Sequence, residues 1–73
     1  LSYGKADAVI TLSKSATLAD AAATAIGNLI LKSSDIPRGI EFAKGIEGLL
    51  GVVIIKDDNI GLWGKVRICQ TSS

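Results

Sequence analysis

Asp20, Thr24 and Asn28 are spaced four residues apart in a run whose only charged group is Asp20. That run, residues 15–31, is rich in Ala and Leu and should be helical. Side chains four apart stack on one face of a helix. The spacing therefore lines up a carboxylate, a hydroxyl and an amide along an otherwise apolar cylinder. Such a stripe can ligate a hard cation, hold a polar ligand or satisfy a backbone segment. A helix this short of Lys, Arg and Glu is expected to be covered by protein on most of its sides.

Each of the three residues also has a plainer reading. Thr17 is the expected N-cap, and Thr17 with Asp20 has capping-box spacing. Asp20 would then favour the helix dipole by about 0.3–1 kcal/mol. That reading accounts for Asp20 but not for the polar continuation. Thr24 can donate to the carbonyl four residues back. Asn28, following Gly27, suits a helix end.

Little other chemistry is on offer. Asp7, near the first strand, is either a second polar group beside the stripe or a strand-edge charge. Asp57 and Asp58 lack the alternating ligands of a calcium loop and read as a turn. Cys69 has only Arg67 as a basic neighbour. A catalytic thiol needs a lowered pKa, so Cys69 reads as a small apolar residue. Trp63 reads as core or interface. The chain has no histidine, which removes the Ser-His triad and histidine metal sites.

At 73 residues the chain is long enough for one small domain. It starts with Leu1 and contains no methionine, so we read it as a piece of a longer polypeptide. Apolar residues make up 48%, and a domain this small buries only about 60% of its unfolded surface. Apolar side chains should therefore lie exposed, or be covered by the upstream part of the parent chain or by a homo-oligomer. A net charge of +1 gives no electrostatic footprint for nucleic acid or an anionic membrane. The single cysteine excludes an intrachain disulfide and suggests a cytoplasmic location. The helix, interrupted by Asp20, Gly27 and Asn28, falls short of the roughly 20 apolar residues of a membrane span.

The elements that must position the stripe follow from periodicity. Residues 8–12 read as a strand, and Ser13, Lys14 and Ser15 as the turn into the helix. Leu18, Ala22, Ala25, Ile26 and Leu29 line the buried face of that helix. Lys32, Ser33 and Ser34 form a loop. Asp35 caps a second helix that tolerates Pro37 in its first turn. Ile36, Ile40, Ala43, Ile46 and Leu50 fit one face, opposite Arg38, Glu41 and Lys44, and Gly48 or Gly51 ends it. Residues 52–55 are a strand buried on both faces. A turn at residues 56–59 leads to a partner strand at residues 60–63, which residues 66–69 can extend before the tail frays. The expected fold is α+β, in the order strand, helix, helix, strand, strand. Two helices pack on one face of a small sheet that ends in a β-hairpin.

Ala-Asp-Ala-Ala-Ala-Thr at residues 19–24 resembles the Ala-Asp-Ala-X-Ala-Thr motif of the ApbE-like superfamily. Its named members are flavin transferases that use FAD and a divalent metal to attach FMN to a protein Thr or Ser. A closer resemblance is to an uncharacterised, ApbE-related prokaryotic family. It rests on Gly-Lys-Ala-Asp-Ala-Val at residues 4–9 and Ala-Asp-Ala-Ala-Ala-Thr-Ala-Ile-Gly-Asn at 19–28. Arg-Gly-Ile-Glu-Phe-Ala-Lys at 38–44 and the hairpin at 51–64 complete it. The resemblance covers nearly the whole chain and implies a single partial domain, residues 1–73, from the C-terminal portion of a longer ApbE-like protein.

By position, the resemblance implies that Asp20 and Thr24 help bind magnesium. Flavin contacts would require the upstream sequence, so FAD or FMN is not expected on this chain alone. The implied function is a metal-dependent transferase acting on flavins or nucleotides. The alternatives are a non-catalytic ligand-binding or assembly protein on the same scaffold, or a structural fragment that retains no site.

Overall fold

β-Branched and aliphatic residues dominate three segments, and these form one antiparallel sheet in the computed structural model, which describes residues 6–65. The strands are β1 (Ala8–Ser13), β2 (Leu49–Lys56) and β3 (Asn59–Gly64), in the spatial order β1-β2-β3. Two helices, α1 (Ala16–Leu29) and α2 (Ile36–Lys44), lie between β1 and β2 in the chain. The expected α+β order and the hairpin are both present. Residues 1–5 and 66–73, which include the expected strand extension and Cys69, lie outside the described residues.

The helices cover one face of the sheet. α1 lies over β1, and α2 over β2 and β3. Ile26, Ile30, Val52 and Ile54 are the largest fully enclosed side chains. Val9 and Trp63 pack against the same cluster. Gly39 lets the layers close here: a Cβ at that position would lie 2.7 Å from Ile30 Cδ1 and 2.8 Å from Ile54 Cδ1. Central strand β2 is buried from Gly51 to Ile54, as its unbroken apolar run requires.

Side chains alternate along a strand, so register assigns the other face. Ile10, Val53 and Leu62 form one cross-strand row, and Ala8, Ile55 and Ile60 the next. Leu12, Gly51 and Gly64 form the third. Every residue in these rows is apolar. The expectation of exposed apolar surface is met here: Ile10 is 56% exposed, Leu12 43%, Ile60 52% and Leu62 47%.

Three local expectations are corrected. α1 is capped two residues earlier than expected, by Ser15 and not Thr17; the Ser15 side chain accepts from the Leu18 amide at 3.1 Å. Thr17 is thus inside the helix, and Asp20 falls beyond the first turn. The second correction is the length of α2, which stops at Lys44 with Gly45 as its C-cap. Ile46 sits in the following turn, whereas Leu50 belongs to β2. The helical period of the apolar residues simply runs on into a buried strand. Finally, Ser33–Asp35 forms a short 3-10 turn where a plain loop was expected.

Asp35 holds that turn. It stands at the N-cap of α2, as expected, yet its carboxylate makes no cap bond to that helix. Its Oδ2 instead accepts from the Leu31 and Lys32 amides at 3.0 and 3.2 Å, closing the reversal between the helices. Arg38 lies 3.6 Å from Oδ1. Asp35 is 7% exposed, and removing its carboxylate leaves two part-buried amides without their acceptor. Asp35→Ala is expected to lower unfolding stability by about 2 kcal/mol, and Gly39→Val by roughly 1–3 kcal/mol through overpacking. Urea denaturation followed by Trp63 fluorescence measures both.

Candidate functional site

The groove between α1 and the free edge of β1 is where the polar stripe meets the rest of the fold. It has a volume of about 310 Å³. One wall is the start of β1, with Asp7 and Val9; the other is α1, with Asp20, Ala23, Thr24 and Gly27. The small side chains on the α1 wall leave the groove wide and open.

Two anchors set the helix against the strand. Thr11, on the helix-facing side of β1, donates from Oγ1 to the Ala19 carbonyl at 2.7 Å. That bond fixes α1 one residue before Asp20. At the helix start, the Ser15 amide donates to Ser13 Oγ at 3.1 Å, and Ser13 Oγ donates to the Gly48 carbonyl at 3.0 Å. α1 is therefore pinned to β1 and to the loop before β2 at its first turn.

Asp20 and Thr24 come together on the groove as their spacing predicts. Asn28 does not line it. All three are exposed, so the stripe side of α1 is open, whereas most of the helix was expected to be covered. The buried side is narrower, with Ala22, Ile26 and Gly27 within the helix. Among the described residues the Asp20 carboxylate has no hydrogen bond or salt bridge. The capping-box account of Asp20 does not hold, because Ser15 is the cap and the first turn contains no acidic residue. Thr24 Oγ1 donates to the Asp20 carbonyl at 3.1 Å, the back-bond expected for a helical threonine. The bond uses its proton and leaves oxygen lone pairs for a further contact.

Asp7 is the residue to which the linear reading gave too little weight. It lines the groove and is also the strand-edge charge that was expected. Its Oδ2 accepts from the Asp57 amide at 2.7 Å, and Oδ1 lies 3.9 Å from Lys56 Nζ. This contact clamps the hairpin turn, where Asp57 has φ 56. Asp57 and Asp58 form that turn and nothing more. The 50-residue separation of Asp7 and Asp57 leaves no local signal of the contact. Gly27 was also missed as a groove residue; an interior helix glycine costs about 1 kcal/mol relative to Ala, which is a signal for a site where bulk is excluded.

The groove thus brings together two carboxylates, one of them unpaired among the described residues, and a threonine oxygen, groups of the kind that can meet a cation or a hydrogen-bond donor. The described residues contain no cluster of three or more His, Cys, Asp or Glu able to hold a metal alone. Nor is any of their helices long and apolar enough to cross a membrane.

The model of the family described as AbpE bacteria matches residues 1–43, which include β1, α1 and almost all of α2. The chain belongs to this family. Its similarity to named proteins extends further along the chain than the AbpE bacteria match. A UPF0280 protein of Methanosarcina acetivorans is 39% identical over 67 residues, covering 90% of this chain and 26% of the relative. The UPF0280 protein of Methanopyrus kandleri is 46% identical over 71 residues, covering 88% of this chain and 29% of the relative. That of Methanocaldococcus jannaschii is 38% identical over 69 residues, with 90% and 28% covered. The chain thus spans about a quarter of the length of the curated relatives it matches. No solved structure matches it.

The groove's two acids should separate in a stability measurement. Asp7→Ala removes the acceptor of the turn amide and is expected to destabilise the fold by about 1 kcal/mol. Asp20→Ala removes an exposed carboxylate and should change stability by less than about 0.5 kcal/mol without added ligand. Chemical denaturation of the two variants side by side checks this contrast.

Proposed function

We propose that this chain is the C-terminal portion of a longer ApbE-like protein, in which Asp20 and Thr24 contribute oxygen ligands to a magnesium ion. The observation that carries the reading is the Asp20 carboxylate, without a partner among the described residues, beside Thr24 on an open groove. Magnesium takes hard oxygen ligands and keeps several waters, so one carboxylate and one hydroxyl can supply part of its shell. The remaining protein ligands would come from polypeptide outside these residues.

The reaction class proposed is a flavin- or nucleotide-related transfer. A bound magnesium would supply charge neutralisation for phosphate groups. The chain's own residues act by position. Thr11 and the Ser13–Ser15 anchors hold α1 against β1, so that Asp20 and Thr24 stay on one wall. The groove, at about 310 Å³, is at the low end for a ligand pocket. Its lining contains no aromatic residue, so FAD or FMN would be enclosed mainly by the rest of the polypeptide. A non-catalytic, ligand-binding member would keep the metal affinity and lack the transfer.

The test is calorimetric titration of magnesium, then FAD, into the full-length polypeptide that carries this chain. Saturable magnesium binding is expected, lost in Asp20→Ala and weakened about tenfold in Thr24→Val, equivalent to about 1.4 kcal/mol. A folded parent that binds no magnesium overturns the metal reading. Magnesium binding without transfer of FMN to a Thr- or Ser-containing protein moves the function to the ligand-binding role.

A further inference from the structure

An antiparallel sheet with one face in water alternates apolar and polar residues; this sheet does not. The helices already occupy the face carrying Val52, Ile54 and Trp63. On the opposite face, Ile10, Val53 and Leu62 meet across the strands, with Ile55 and Ile60 beside them and Leu12 beyond. No charged or polar side chain interrupts these rows. Four of these residues are between 43% and 56% exposed: Ile10, Leu12, Ile60 and Leu62. Val53, at their centre, is 4% exposed, so its neighbours already shield it and form one continuous patch. The largest contiguous apolar patch on a protein surface is often functional, and here it takes up a whole sheet face.

From this surface we infer that the helix-free face of the sheet is the seat of a second apolar layer, supplied by the same polypeptide from outside these 73 residues. Two arguments select that occupant. Three strands about 4.8 Å apart and five residues long present a footprint of roughly 250–300 Å². Pairing two copies over so small a footprint falls short of the ~1,200 Å² of total accessible surface at which stable interfaces begin. A covalently linked layer needs no such area, because its local concentration is set by the chain. The relatives supply the second argument. This chain spans only 26% of the Methanosarcina acetivorans protein, so three quarters of such a polypeptide is available to cover the face. The absence of charge on the patch requires the covering layer to be apolar as well. This inference is independent of the metal reading.

Cysteine labelling in the full-length polypeptide tests it. Ile10→Cys, Leu62→Cys and Asp58→Cys are made separately on a Cys69→Ser background. Each is reacted with a maleimide in the native and the denatured state. Native labelling at positions 10 and 62 is expected to be at least tenfold slower than at position 58, with equal rates in denaturant. The protection should be unchanged by hundredfold dilution. Hydroxyl-radical footprinting of the unsubstituted polypeptide gives a second readout that needs no variant, with Ile10 and Leu62 modified far less than their exposure in this structure predicts. Native labelling at positions 10 and 62 as fast as at 58, with both residues open to footprinting, overturns the inference. Protection that disappears on dilution also overturns it and assigns the face to a second copy of the chain.

Discussion

The burial of Val52 and Ile54 beneath two helices is the constraint on which the rest of the structure depends. Both residues are fully enclosed, and both lie on the central strand. Shielding them takes two helices on one face, because one helix diameter does not span three strands. α1 therefore lies over β1, and α2 over β2 and β3. The close approach of α2 needs a residue without a Cβ at position 39. The tight reversal between the helices needs the two amides that Asp35 accepts. Apolar burial sets the layer, and one buried carboxylate sets the turn that makes it possible.

The groove is a by-product of that layer. Once α1 lies over an edge strand, its outer side has no neighbour, and the space between helix and strand edge remains open. The bond from Thr11 to the Ala19 carbonyl then decides which helix residues look into that space. A single step of the helix rotates a side chain by about 100°, so moving this anchor by one residue would turn Asp20 and Thr24 away. The Ser15 cap has a further consequence. It leaves Asp20 outside the first turn, where capping or the helix dipole would otherwise account for the charge.

Two surfaces of this small sheet-and-helix unit are thus unfinished in different ways. The groove offers oxygen ligands too few to complete an ion's coordination. The helix-free face of the sheet offers apolar area with no cover. The proposed ion ligands and the proposed covering layer would both come from polypeptide beyond these residues, and the relatives are several times as long as this chain. The two surfaces use different physics, coordination and apolar burial, so each can be tested without the other.

By itself the sequence determined the order of elements, the buried strand around residues 52–55 and the shared helix face of Asp20 and Thr24. Those features follow from an unbroken apolar run and from spacing of four residues along the chain, and local pattern carries them. Helix ends were legible only in part. The Ser15 cap depends on which hydroxyl reaches the Leu18 amide, and Thr17 offered an equally good local pattern. Ile46 and Leu50 continued a helical period into a turn and a strand, because burial in a sheet and burial under a helix select the same residue types. Tertiary structure alone decided that Asp7 joins the groove while clamping a turn 50 residues away, that Asn28 is left out, and that one whole face of the sheet is apolar. Each of these depends on strand register and on distant backbone groups brought within hydrogen-bond range, and neither is written in the spacing of neighbouring residues.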